Sequence, residues 1–182
     1  MAHNTTASVS AGMATSLPGA PAGYLWRPAQ LENAATIYEL RIAADEADAT
    51  DVAGSLDEAK RDFKDSWTNS ATHSLLGFDR SGELAASARI FINPEATDEF
   101  RVHLIGEIHP RQRNRGLGQF LFSWMSERAK YILSDKHDDM KKVLFTYCTD
   151  TQSDRMELYE NNGFKIVRYF YRMRRDLHSS SI

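Results

Sequence analysis

Apolar and polar positions follow two rhythms along this chain, and the switches between them divide it into elements. Residues Tyr24 to Pro28 read as a short strand stopped by proline. Helical spacing then runs from Ala29 to Asp48, with Leu31, Ala35, Tyr38 and Ile42 on one stripe. A second helix, mostly charged, is expected over roughly Leu56 to Trp67, after Gly54 and Ser55. Two strands, His73–Asp79 and Glu83–Asn93, flank Arg80–Ser81–Gly82, a hairpin turn signal. From Glu99 to Pro110, Val102, Leu104 and Ile108 alternate with Arg101, His103 and Glu107. A helix follows Gly116, its stripe made of Leu117, Phe120, Leu121, Trp124, Met125 and Ile132. Lys142–Cys148 reads as a buried strand, and Asp154–Asn162 as a short helix closed by Gly163. Phe164–Leu177 reads as a long final strand. No internal repeat interrupts this order, which predicts an α/β fold around one mixed sheet.

Bulk properties narrow the chemistry. The chain has 182 residues, about the length of one domain. Met1 to Gly23 is rich in small and polar residues, lacks Lys and Arg, and has no apolar core of the kind a secretory signal needs. It is expected to be a mobile arm, with one folded domain over 24–177 and a short tail over 178–182. The net charge of −3 argues against a chain-wide polyanion surface, so any basic patch must be local. Cys148 is the only cysteine, which excludes an internal disulfide and a multi-cysteine metal site and suits a reducing cytoplasm. No apolar run approaches the ~20 residues that span a bilayer.

The stretch from Ile108 to Met125 carries the chemistry. A strand leads through Arg111, Arg113, Arg115, Gly116 and Gly118 directly into a helix. First-turn N–H groups and the helix dipole make such a mouth attractive to anions. Glycine lets the backbone come close to the anion, and arginine supplies forked donors for phosphate oxygens. Two familiar phosphate loops do not fit: Gly118–Gln119–Phe120 lacks the Lys-Ser/Thr of a Walker loop, and Leu121 stands where a dinucleotide fingerprint needs a small residue. From these residues alone, a plain strand-to-helix turn with solvated arginines remains open.

Arg113–Asn114–Arg115–Gly116–Leu117–Gly118 resembles the Arg/Gln-x-x-Gly-x-Gly/Ala motif of the GNAT superfamily of N-acetyltransferases. Ile108–His109–Pro110 is similar to that family's Val-x-Pro exit from the fourth strand, and Leu158–Phe164 to its Leu-Tyr-Glu-x-x-Gly-Phe helix end. The stretch from Trp26 to Leu40 resembles its first strand and helix, so the likeness runs from about Leu25 to Leu177. The ending from Gly163 to Leu177 resembles acetyltransferase domains of the mycothiol-synthase-like group. The resemblance implies a mixed, mostly antiparallel sheet, splayed between the fourth and fifth strands, with helices on both faces.

It also implies acetyl-CoA as the acyl donor. The pyrophosphate would rest on the amides of Arg113, Asn114, Arg115, Gly116, Leu117, Gly118 and Gln119. The pantetheine arm would run along Glu107 and Ile108, with the Ile108 N–H polarising the thioester carbonyl. Tyr159 stands where relatives keep the acid that protonates the leaving thiolate, with packing as its alternative role. Gln152 occupies a position where many relatives have Asn against the pantetheine, one methylene shorter. No general base is assigned, because alternation places His103 and Glu107 on the face opposite Ile108.

The implied reaction is acetyl transfer to a primary amine of a small molecule or peptide, with a non-catalytic acyl-CoA-binding module as the alternative. Acidic residues between Asp45 and Asp65 suggest a cationic acceptor. Many relatives form homodimers. His73, His109, His137 and His178 have no ligand spacing, so no metal is expected. Arg168, Arg172, Arg174 and Arg175 read as a solvated fringe, with no nucleic-acid partner. Cys148 is expected to be a buried small hydrophobe.

Overall fold

The computed structural model describes residues 17–64, 69–92, 99–134, 140–173 and 175. Within them the two rhythms settle into five strands and five α-helices. Strand β1 (Leu25–Arg27) is followed by α1 (Ala34–Asp48), α2 (Leu56–Arg61) and the one-turn α3 (Ser70–His73). Strands β2 (Ser74–Phe78), β3 (Leu84–Ile92) and β4 (Glu99–Ile108) form a meander. Helix α4 (Leu117–Ser134) then crosses over to β5 (Lys141–Phe145), and α5 (Ser153–Asn161) follows.

The sheet runs β1-β2-β3-β4-β5. The first three pairings are antiparallel and only β4 with β5 is parallel, as the long crossover through α4 requires. Pairing of β4 with β5 runs from Glu99 opposite Lys141 to His103 opposite Phe145 and stops there. On its other edge β4 stays paired with β3 as far as Ile108 opposite Ala86. This is the expected splay between the fourth and fifth strands.

Alternation decides which face each side chain meets. Val102 and Leu104 are fully buried under α4, in one cluster with Ile90, Leu117, Leu121 and Met125. On the opposite face Ile37 and Leu40 of α1 cover Leu76 and Leu84. Helices therefore shield both faces of the sheet, and α4 buries most of the stripe expected of it.

Five expectations shift. The buried positions of α1 are Ala34, Ile37, Leu40 and Ala44, whereas Leu31 and Ala35 are exposed and Tyr38 and Ile42 half-buried. The expected stripe was phased on Leu31, but Leu31–Asn33 is a separate 3-10 turn. There the Asn33 side chain accepts from the Gln30 N–H at 3.0 Å, and α1 starts its own phase afterwards. Packing also begins before Tyr24, since Leu17 and Ala20 rest against the main core.

Cys148 is exposed, not buried. Once β4 turns away after His103, the chain beyond Phe145 has no neighbour to pair with, so β5 ends three residues before the cysteine. For the same reason the expected last strand is absent among the described residues. Residues 164–173 form no ladder, and Val167, Tyr171 and Met173 are 76%, 87% and 92% exposed. Helix α2 ends at Arg61; Ser55 and Glu58 box its start, and the expected end at Trp67 lies outside the described residues.

Trp26 of β1 lies flat on Gly77 of β2, where an added Cβ would come within 2.4–2.9 Å of the indole ring. Gly77→Ala is expected to cost about 1–3 kcal/mol, the range for overpacking a filled core. Urea unfolding should show a lower midpoint with an unchanged m-value.

Candidate active site

The end of β4 sets the site. After Ile108, a 3-10 turn over Pro110–Gln112 opens with His109, whose Nδ1 accepts the Arg111 N–H at 3.2 Å. Asn114 (φ 61°) and Gly116 (φ 77°) are left-handed, which Asn tolerates and Gly adopts freely. Helix α4 starts immediately, and the Phe120 N–H donates to the Gly116 carbonyl at 3.1 Å. The N–H groups of Leu117, Gly118 and Gln119 precede that bond and point out of the helix mouth. Residues Arg113 to Gln119 thus meet in one concave turn at the positive end of an 18-residue helix.

The loop is tied at two points. Gln112 accepts the Tyr24 hydroxyl and donates to Asp79, both at 3.0 Å. Arg113 forms a two-pronged ion pair with Asp48, at 2.5 and 3.0 Å. Its charge is therefore committed, and Arg115, which is exposed, carries the free guanidinium of the motif.

A cleft of about 260 Å³ opens between the free edge of β4, the start of α4 and the start of α5. Its walls include Gly106, Ile108, Leu117, Gln152, Arg155 and Tyr159. The His109 N–H donates to the Ala85 carbonyl at 2.8 Å, toward β3. Backbone alternation therefore turns the Gly106 and Ile108 N–H groups the other way, into the splay.

Tyr159 enters the cleft from α5, its ring packed on Phe122 (5.9 Å) and Phe164 (6.1 Å). Near its hydroxyl, Thr146 donates to the Leu104 carbonyl at 3.0 Å. Burial pushes the phenol above its ordinary range, and nearby Arg155 and Thr146 offset this only in part. The group therefore holds its proton across neutral pH and gives it up only above the usual tyrosine value. Such a phenol is an acid, not a base.

Most of the other polar groups near the cleft are engaged. Glu107 pairs with Arg155 at 3.2 and 2.7 Å; burial alone would weaken the guanidinium's hold on its proton, but Glu107 reverses that. His103 lies between Phe145 and Tyr147, at 5.7 Å from each ring. Burial, helped by the Arg101 charge, lowers its pKa, so the imidazole is neutral at pH 7. Gln152 uses both ends of its amide, donating to Asp48 at 2.6 Å and accepting the Thr149 N–H at 3.2 Å. Partial burial, opposed by Arg155, raises the Cys148 thiol, which is thus no activated nucleophile.

Part of the acidic segment is partnered, while Glu46 and Asp57 are exposed. Asp45 accepts the Val52 and Ala53 N–H groups at 2.8 and 3.3 Å, and Asp51 pairs with Arg172 at 2.7 Å. Glu58 caps α2, and Asp62 bridges Arg41 and Arg89 at 3.1 and 2.6 Å. Asp65 lies outside the described residues. Among the described residues no group of three ligating side chains could hold a metal ion, and no helix is long and apolar enough to cross a membrane.

Sequence reasoning named Tyr159 and the loop, counted Asp48 only among the acidic residues of an acceptor wall, and did not name Arg155. Arg155 was within reach of a periodicity argument, being one helical turn before Tyr159. Asp48 was not, because its partner is 65 residues away.

An opened strand edge, an amide-lined helix mouth and a buried tyrosine thus meet at one cleft. The sequence matches the Acetyltransferase (GNAT) family over residues 35–164, and the chain belongs to that family. Among solved structures, a GCN5-related N-acetyltransferase from Sphaerobacter thermophilus is similar with TM-score 0.69 and 23% identity, over 80% of this chain. This chain spans only 44% of that one. A Clostridium acetobutylicum acetyltransferase with acetyl-CoA is similar with TM-score 0.62 and 10% identity, over 83% of this chain and 96% of that one. A Salmonella typhimurium protein named as an acetyltransferase, with its cofactor acetyl-CoA, gives TM-score 0.57 and 18% identity, over 80% and 82%. Among proteins of curated function, none matches.

Glu107 and Arg155 keep only 19% and 21% of their side-chain surface exposed. Glu107→Gln, which strands the arginine, is expected to destabilise by about 3 kcal/mol, the low end for a broken buried pair. The double variant Glu107→Gln/Arg155→Met should recover part of that loss in chemical denaturation, because no unpaired charge is left.

Proposed function

We propose that this chain is an acetyl-CoA-dependent N-acetyltransferase that acetylates a primary amine of a small molecule or peptide by direct attack. The observation that carries this reading is that Tyr159 and Ile108 line one cleft where β4 leaves β5. The donor's phosphates suit the amides of Arg113 to Gln119, with Arg115 adding charge. Its pantetheine amides suit the free edge of β4 at Gly106 and Ile108, whereas the backbone of Glu107, expected to share this contact, faces β3.

In the reaction, the amine lone pair forms the C–N bond at the thioester carbon and the carbonyl electrons move to oxygen. The Ile108 N–H donates to that oxyanion. As the carbonyl re-forms, the C–S bond breaks and the thiolate takes a proton from Tyr159. A thiol pKa of ~8.5 against a phenol above ~10 makes this transfer uphill but feasible with the leaving group already paired to the hydroxyl. The surplus proton on nitrogen passes to water, which then re-protonates the phenolate. Asp45, Asp48 and Asp62 are partnered in the fold, whereas Glu46, Asp51, Asp57 and Glu58 are exposed, so a cationic amine is the acceptor class this acidic segment favours.

Tyr159→Phe is expected to leave acetyl-CoA affinity nearly unchanged by calorimetry and to lower kcat roughly 10²-fold or more. Because the acid must be protonated, wild-type kcat should show no alkaline decline below about pH 10, the ordinary tyrosine value. Acetyl-CoA at ~100 times its dissociation constant should add ~2.7 kcal/mol of stability. No thermal shift at millimolar acetyl-CoA would overturn the donor assignment.

A further inference from the structure

Three elements around the cleft are tied through one carboxylate. Asp48, the last residue of α1, takes Arg113 from the loop after β4 at 2.5 and 3.0 Å. The same carboxylate accepts the Gln152 amide at 2.6 Å, at the start of α5. Its backbone carbonyl accepts the Thr151 hydroxyl at 3.3 Å. The Asp48 side chain keeps 12% exposure, and Asp48, Arg113 and Gln152 all line the cleft. Burial would raise its pKa, but the hydrogen bonds from Arg113 and Gln152 and the charges of Arg113 and Arg155 win, so it stays ionised.

The loop needs such a hold. A left-handed non-glycine residue carries a cost of about 1–3 kcal/mol and persists only where its surroundings over-determine it. Asn114, next to Arg113, is one. Upstream, Gln112 is fixed between Tyr24 and Asp79; downstream, α4 begins. Between these, Arg113 to Asp48 is the tie that reaches across to α5.

We propose that Asp48 is a positioning residue for the acyl donor: through Arg113 it holds the amide loop in its anion-receiving shape, and through Gln152 it sets the width of the cleft mouth. This rests on the acetyl-CoA reading above. Asp48 touches neither the acetyl group nor the amine. Because the carboxylate already neutralises Arg113, that arginine serves donor binding by geometry more than by charge. The two effects have opposite signs. If charge dominated, removing the Asp48 charge would free a guanidinium beside the phosphates and tighten binding. If geometry dominates, binding weakens.

The test is calorimetric titration of the full chain with acetyl-CoA, which needs no acceptor, for Asp48→Asn, Arg113→Gln and the double variant. Each single variant is expected to weaken binding about tenfold, which corresponds to ~1.4 kcal/mol. The double should be no weaker than either single, because both break the same tie. In turnover, KM for acetyl-CoA should rise more than kcat falls, and KM for the amine should not change. Should Asp48→Asn fail to fold, Asp48→Glu takes its place, since it keeps the charge but displaces the carboxylate by one methylene: weaker binding supports the proposal and unchanged affinity overturns it. Affinity equal to or tighter than wild type in either single, or losses that multiply in the double, overturns the proposal. A wild-type chain that does not bind acetyl-CoA overturns the donor reading and this proposal with it; normal variant affinities overturn this one only.

Discussion

The parting of β4 from β5 is the constraint on which the rest depends. A strand edge inside a domain exposes one backbone N–H or C=O per residue on that side, and each needs a partner. Beyond His103 and Phe145 the neighbouring strand is gone, yet β4 continues to Ile108. The first orphan, the Leu104 carbonyl, is met by the Thr146 hydroxyl. The wedge beyond is lined by α5, which sends Tyr159 into it and Arg155 to Glu107. What is left is an edge with Gly106 and Ile108 N–H groups turned outward, suited to an extended molecule that carries amides of its own. On the function proposed above, the missing ladder is the binding surface.

Ion pairs around this wedge differ in worth. Arg172 with Asp51 joins two exposed side chains, and pairs of that kind give at most ~1 kcal/mol. Asp48 with Arg113 and Glu107 with Arg155 are largely shielded, so their value lies in the cost of breaking them. Both fix the position of an element on the cleft wall. With those charges spoken for, attraction of an anion falls to Arg115, the loop amides and the α4 dipole. These are short-range donors, and their effect depends on how well the loop keeps its shape.

Much of this was legible in the order of residues. The alternation in β4 and the stripe of α4 are long enough to fix both faces, and glycine at a left-handed turn before a helix has few readings. Tyr159 and the loop followed from local motifs. The phase of α1 was not legible, because Leu31 belongs to a turn whose hydrogen bonds depend on Arg27 and Asn33 together. The last strand was misread for a different reason. Apolar alternation over 164–173 reports the capacity to pair, not the presence of a partner, and the described sheet ends at β5. Cys148 shares that cause. Asp48 is invisible to any window, since an acid at a helix end has dozens of ordinary uses.

The ties on the amide loop come from far along the chain. Tyr24 lies 88 residues from Gln112, Asp79 lies 33 from it, and Asp48 lies 65 from Arg113. Closing such long loops is slow and depends on contacts made elsewhere first. During folding the loop therefore takes its shape only after the first strand, the hairpin turn and the first helix have docked. The same dependence runs in reverse on local unfolding: release of any one of those three segments slackens the loop. Donor affinity is in this sense a gauge of the whole domain, and a lesion in the hairpin turn at Asp79 is felt where the phosphates would rest.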